Sequence, residues 1–434
     1  MLDINSIPHL AANLSGPLFE LEDFFVDNQV TIEAWFRQQW QKTPPPFYSS
    51  VDLRNAGYKL APVDTNLFPA GFNNLNPEFS ALYIQAVQAT IAEICPDVTR
   101  LLLIPESHSR NTFYFENIRA LHEILVHAGF DVRIGTLDPN VTENKIIDVP
   151  SGHQITIEPI IRKDDKVGVK DFYPCCIILN NDLTGGIPDI LKNLDQTIIP
   201  PMQLGWSTRL KSEHFDFYHM ICNEFSLLLD CDAWLFNPLF DRCPEVDFMK
   251  KEGQECLYTR AQQLFHRIKY KYEQYNIKQT PFLVVKADSG TYGMAVMMIK
   301  DPQELLTLNR KQRTSMSSIK GGKRVTKAII QEGVYSFETI GKEHAVAEPV
   351  VYLIGRHVIG GFYRVHKDRG PDENLNAPGM NFSPLAFASS CHSPRNKAQE
   401  PSKRLYAYGI VARLASLAAA RELTAFEEHA KIRE

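Results

Sequence analysis

The sequence predicts an α/β protein whose C-terminal part is α+β, and three patterns predict it. In the first half, short β-rich apolar runs alternate with stretches of helical period, the order that builds a sheet covered by helices. Residues 211–275 then read as mostly helical, with a Pro-interrupted segment at 237–244. From Pro281 onward five β-rich runs stand close together, which suits an antiparallel sheet better than a doubly wound one.

Taken in order, a first helix closes at Pro44-Pro45-Pro46, because proline cannot continue a helical hydrogen-bond ladder. Residues 51–76 are dense in polar side chains and punctuated by Pro and Gly, so they read as an ordered functional loop rather than a strand. Helical period at 77–95 and 116–128 separates strands expected at 101–105, 131–136, 155–161 and 175–180. The runs PFLVVK, AVMMIK, KAIIQE, AVAEPVVYLI and RHVIGGFYRV supply the later strands, and the chain returns to helix from Arg404.

Composition narrows the function classes. With 434 residues, 44% hydrophobic and 22% charged, the chain is of globular type, which excludes collagen, coiled coil and wholesale disorder. Lys and Arg number 46 against 51 Asp and Glu, a formal charge of −5 that offers no global field to a polyanion, so nucleic-acid binding is not expected. No run approaches the roughly 18 uncharged apolar residues of a membrane span, and the start lacks a basic, apolar leader, so a cytoplasmic location and no membrane partner are expected. The eight cysteines form no paired CxxC knuckles and read as reduced, mostly buried thiols, with Cys175 and Cys176 in a core strand. His122 and His127 are five apart and diverge by about 140° on a helix, too far to share a zinc ion. No GxSxG elbow occurs.

The sharpest local feature is PFLVVKADSGTYGMAVMMIK, where a strand ends in Lys286 and a loop containing Ser289, Gly290 and Gly293 leads into the next strand. Such a hairpin can lay backbone N–H groups over phosphates while the lysine meets their charge; a simple hairpin with a solvated lysine fits equally. Residues 309–327 carry seven basic residues and no acidic one, the composition of a flexible lid, a solvated loop or a local RNA contact. In AIIQEGV, Gln331, Glu332, Gly333 and Val334 close an apolar strand, where a linker can offer backbone groups to adenine. Arg364 in GGFYRVH can stabilise a transferring phosphoryl group, and Asn374 and Asn376 in ENLNAPGM can add amide oxygens around Mg²⁺, although Asn-Pro-Gly clusters are also ordinary turns.

In the first half, Arg54 and Lys59 could clamp carboxylates, while Asn55, Asp64, Asn66, Asn73 and Asn74 could hold an ammonium or amide group. Glu106, His108, Arg110, Asn111 and Asn117 follow the apolar run LLLI and open a helix, a favourable place for substrate contacts; Ser109 can cap that helix.

The lysine, glycine loop, QEGV hinge, strand arginine and Asn-rich loop occur in an order that resembles the ATP-grasp superfamily. The runs VDLRNAGYKLAPVDTNLFPAGFNNL, NNDLTGGIP and KADSGTYGMAV resemble, within it, the proteobacterial glutamate–cysteine ligase family over nearly the full chain. The resemblance implies an ATP-grasp fold with an N-terminal α/β substrate-binding domain at 1–205, a subdomain with phosphate loop and lid at 206–333, and a C-terminal subdomain at 334–434. It also implies ATP and Mg²⁺ as cofactors and L-glutamate and L-cysteine as substrates, joined through a γ-glutamyl phosphate, with a homo-oligomer an open alternative. On it Lys286 contacts the nucleotide phosphates, Arg364 the reacting phosphate, residues 331–334 the adenine, and Lys211 is the candidate for an expected earlier lysine. The ExN metal motif common in the superfamily is absent after Asn376, so Glu332, Glu338 and Glu348 stand beside Asn374 and Asn376 as metal candidates. Another ligase of glutathione synthetase type, and a non-catalytic nucleotide sensor or RNA-binding module, are the alternatives.

Overall fold

The computed structural model describes residues 18–107, 111–290, 293–341, 343–385 and 400–433. Helices α1 (Leu18–Asp27) and α2 (Gln29–Lys42) lead into a hairpin of β1 (Tyr48–Asn55) and β2 (Leu60–Asn66), followed by α3 (Ser80–Ile94). The parallel unit comprises β3 (Arg100–Pro105), α4 (Thr112–His127), β4 (Asp131–Thr136), β5 (Lys145–Asp148) and β6 (Gln154–Pro159). A small hairpin of β7 (Ile161–Lys163) and β8 (Lys166–Gly168) precedes β9 (Cys176–Asn180) and β10 (Thr197–Ile199). The strands order as β10-β9-β3-β4-β6-β5, with only β5 antiparallel to its neighbour. LLLI and CIILN run apolar without alternation because both faces of a parallel sheet are covered.

After α5 (Lys211–Leu229), strand β11 (Phe240–Cys243) and α6 (Gln254–Gln274), a second sheet forms from β12 (Leu283–Ala287), β13 (Val296–Ile299) and, beyond α7 (Arg310–Met316), β14 (Ala328–Glu332). Its order is β11-β14-β12-β13, all antiparallel, as the close spacing predicts. The third sheet joins β15 (Thr339–Ile340), β16 (Ala345–Ile354), β17 (His357–His366) and β18 (Asn381–Pro384) to the first hairpin, in the order β18-β17-β16-β1-β2 with β15 beside β16. The chain ends in α8 (Glu400–Arg433), whose run LYAYGIVARLASLAAA is buried on every side, as an all-round apolar helix must be. Among the described residues no helix is long and apolar enough to cross a membrane.

One expectation is corrected at 51–66, which forms paired strands rather than a loop. Alternation was present, but the polar members face a cleft instead of bulk solvent, so their density reads as loop-like. Val51 and Leu53 pack with Val351 and Leu353 against α5 and α8. The opposite face begins apolar, with Tyr48, Val350, Tyr352 and Phe362 packed toward α3, and becomes charged further along the same strands, at Asp52, Arg54, Glu348 and Arg364. A second correction concerns Cys175, which is exposed just outside β9; all seven described cysteines are free thiols. The basic segment 309–327 carries α7 and a short 3-10 turn over 320–322.

Candidate active site

A cleft with about 780 Å³ of open space lies between the charged end of the third sheet and the β12–β14 sheet. Register builds its floor. Pairing sets Glu348 directly opposite Arg364 and Asp52 opposite Asp64. The second pair exists only because β2 bulges: Leu53 pairs with Pro62 while Asp52 pairs with Asp64, which leaves Val63 as the extra residue. A one-residue insertion exchanges strand faces, so Leu60 points into the helix-side core and Asp64 into the cleft. The unpaired Val63 carbonyl accepts a hydrogen bond from Lys286 Nζ at 2.7 Å.

The remaining walls follow the same logic of parity. Val284 and Lys286 of β12, with Val296 and Met298 of β13, face the cleft, while Leu283, Val285 and Ile299 pack toward α6. The glycine loop approaches closely enough that a side chain would displace its neighbours. A Cβ at Gly293, where φ is +64°, would lie 2.8 Å from Asn376 Nδ2. Lys211 enters at the start of α5, where Ser212 N and Oγ each donate to the Asp288 carboxylate at 2.7 Å and tie this helix to the glycine loop.

The electrostatics alternate in sign. Arg364 donates to Asp52 Oδ2 at 3.0 and 3.1 Å and lies 3.4 Å from Glu348 Oε2, and Arg54 pairs with the other Glu348 oxygen. Lys211 Nζ donates to both Asp64 oxygens at 2.7 and 2.8 Å and sits 4.2 Å from the Trp206 ring centroid. Burial pushes the Asp52 carboxyl up, against the pull of Arg364. Burial also acts upward on Asp64, but Lys211, Lys286 and Arg209 together hold it below the usual carboxylate range. Lys286 is lowered to about 8 by burial, with Asp64 opposing and Lys211 adding to the shift. Gln331, 2% exposed, has neither amide atom hydrogen-bonded within the protein although it lines the cleft.

An oxygen-rich donor set for a hard cation is present in Asp52, Glu348, Asn374 and Asn376. Among the described residues no three His, Cys, Asp or Glu side chains cluster as a complete cage. Two carboxylates and two amide oxygens are donors of the type a hard divalent cation takes.

The sequence profile of the GshA glutamate-cysteine ligase family matches residues 22–423. The chain belongs to this family. It is 53% identical to a provisionally named gamma-glutamylcysteine synthetase from Methylobacillus flagellatus KT, over 97% of this chain and 99% of that one, with a TM-score of 0.89. More distant are a glutathione synthetase-like effector from Globodera pallida (9% identity, 85% and 83% of the chains, TM-score 0.39) and D-alanyl-alanine synthetase A from Vibrio cholerae (9%, 73% and 81%, TM-score 0.33). No curated protein matches the sequence.

Of the residues singled out by sequence, Arg54, Asp64, Lys211, Lys286, Gly290, Gly293, Gln331, Glu332, Val334, Glu348, Arg364, Asn374 and Asn376 line the one cleft. Ser289 is half-buried in the loop beside it, and Gly333 donates its N–H to the Phe282 carbonyl at 2.8 Å. Others are placed elsewhere. Lys59 is buried against Glu332 at 2.8 Å, and that carboxylate also accepts from Trp234 Nε1 and the Leu239 N–H, so its oxygens are occupied. Asn55 donates to Glu338, which is buried on the helix side of the sheet and also accepts from Tyr408. Asn66 accepts from Phe68 N, Asn73 donates to Asn74, Asn111 caps α4, and Asn117 accepts from Gly71 N and Phe72 N. Glu106 pairs with Lys320 at 2.6 Å and borders a second hollow at the carboxyl ends of β3 and β4. His108, Ser109 and Arg110 lie outside the described residues. Sequence reading missed Asp52, whose signal was its i, i+2 relation to Arg54 on one strand face.

Proposed function

We propose that this cleft joins the γ-carboxylate of L-glutamate to the amine of L-cysteine in two steps, using ATP. The glutamate carboxylate attacks the terminal phosphorus, giving a γ-glutamyl phosphate and ADP; the cysteine amine then attacks the acyl carbon and displaces phosphate. What carries this reading is the convergence of Arg54, Lys211, Lys286 and Arg364 with Asp52, Asp64 and Glu348 in one cleft, in a member of the glutamate-cysteine ligase family.

On this reading Lys211 and Lys286 meet the phosphate chain and Arg364 the transferring phosphoryl group, where fixed cations offset charge spread over its oxygens. Val284, Val296, Met298 and Val334 form an apolar slot for a purine, and the unpartnered Gln331 amide lies at that slot. Asp52, Glu348, Asn374 and Asn376 would hold Mg²⁺, which when bound would offset the phosphate charge. Arg54, held by Glu348 and the Val334 and Glu373 carbonyls, marks the side of the cleft where the amino-acid carboxylate would sit. Three segments divide the work: 1–205 bears the amino-acid contacts, 206–333 the nucleotide loop, and 334–434 the Arg364 and Asn374–Asn376 side. The protein acts on small molecules and needs no membrane or nucleic acid, and its place is the cytoplasm.

The test supplies ATP and Mg²⁺ with glutamate and cysteine separately and together, following phosphate release and the dipeptide by mass. Release and γ-glutamylcysteine only with both amino acids is the expected result. ATP binding without ADP or dipeptide would overturn the substrate assignment.

A further inference from the structure

The mechanism leaves unused a fully buried ion pair, with a histidine beside it, behind the cleft. Arg209 and Glu422 are each 1% exposed and His214 is 2% exposed. Arg209 Nε donates to Glu422 Oε1 at 2.8 Å and Nη2 to Oε2 at 3.1 Å, a two-pronged contact that fixes the guanidinium in angle as well as distance. His214 Nδ1 is 3.2 Å from Glu422 Oε2. The third arm of Arg209, Nη1, donates to the Thr65 carbonyl at 2.8 Å.

We infer that Glu422 is a positioning residue for the nucleotide phosphates, acting through Arg209 on the Asp64–Lys211 pair. The inference rests on the reading of the cleft as an ATP site. Three connections carry it. Thr65 follows Asp64 in β2, immediately after the bulge that turns Asp64 into the cleft, so the Arg209 contact pins the strand where its face has just been exchanged. Arg209 precedes Lys211 by two residues, and both cations lie over the Trp206 ring, at 5.1 and 4.2 Å from its centroid. His214 stands one helical turn after Lys211 on α5, so Glu422 holds the chain both before and after the lysine.

A neighbour of the same helix serves as contrast. Arg421 of α8 pairs with Glu224 at 2.6 Å, near the opposite end of α5 and partly exposed. It fastens α8 to α5 as Glu422 does but touches neither Thr65 nor the segment bearing Lys211.

Glu422→Gln keeps side-chain shape and removes the charge. We expect affinity for a non-hydrolysable ATP analogue to fall about tenfold, with KM for ATP rising in parallel and KM for both amino acids within twofold of wild type. Glu422→Asp, which restores the charge, recovers part of the loss, and Arg421→Gln leaves nucleotide affinity unchanged. Should Glu422→Gln fail to fold, Arg209→Lys supplies the test, because an ammonium cannot span Glu422 and Thr65 together. Folded variants with wild-type analogue affinity would overturn the inference. A wild-type protein that binds no ATP analogue would instead overturn the reading of the cleft.

Discussion

Lys59 and Lys286 are both lowered to about 8, chiefly by burial, yet they stand in opposite kinds of environment. Lys59 is enclosed: its ammonium meets the Glu332 carboxylate at 2.8 Å, the Asn237 carbonyl at 3.1 Å and the Trp234 ring at 4.2 Å. Lys286 donates to one neutral carbonyl, that of Val63, and among the described residues forms no ion pair. Lys59, walled in on every side with its charge balanced by Glu332, is part of the architecture. Lys286, held by the carbonyl of a bulged strand and facing an open cleft, has its charge free for a ligand. Between these two lysines, enclosure tells the roles apart where burial and a shifted titration do not.

Replacing each lysine by methionine should therefore break opposite properties. Lys286→Met is expected to lower kcat/KM for ATP more than about a hundredfold, the scale of losing a group that stabilises developing charge, with a melting temperature close to wild type. Lys59→Met strands Glu332 without its counterion, and a loss of about 3–5 kcal/mol in stability is expected, measured by denaturant titration, while the protein that remains folded keeps its KM values. If the two variants lose activity and stability in the same proportion, the contrast between enclosed and open lysines is wrong.

Much of this contrast was legible in the chain, though unevenly. Lys286 could be singled out because an apolar strand ends in it and a loop with Gly290 and Gly293 follows, and Arg364 because it interrupts β-forming residues on a strand. Lys59 could not be told from Arg54, since both sit in one polar-dense stretch; only the pairing of Asn55 with Leu60 shows that a tight turn separates them. Asp64 illustrates the limit further. By strict alternation it shares a face with Leu60, and the bulge at Val63, which reverses this, depends on contacts from β1 and β12 that are distant in sequence. Nothing in the sequence sets Glu422 apart from its charged neighbours, and its burial follows from where α8 packs.

The titration of Lys286 sharpens the comparison. A phosphate needs the ammonium form, and the free protein gives up that proton at about 8, so nucleotide affinity should fall as pH rises through that value, by up to about tenfold per unit. The measurement is binding of an ATP analogue between pH 7 and 10 without cysteine, whose thiol titrates in the same range. Lys286→Arg, with a guanidinium that stays charged, should move the fall to higher pH. Lys59→Met should leave it in place, because an enclosed charge is not one the phosphate meets.

The smallest effect concerns how tightly the open side is built. Gly293→Ala introduces a Cβ 2.8 Å from Asn376 Nδ2 and places a side chain at φ +64°. Gly322→Ala imposes similar backbone strain at φ +74°, with nothing within 4 Å of the new atom. The backbone cost is about 1 kcal/mol in each, so any excess at Gly293 measures its contact with Asn376. We expect KM for ATP to rise several-fold in Gly293→Ala and to stay near wild type in Gly322→Ala, at comparable losses of stability. Equal KM values in the two would mean that the approach of the glycine loop to Asn376 does not matter for nucleotide binding. The open side of the cleft would then depend on its charges alone.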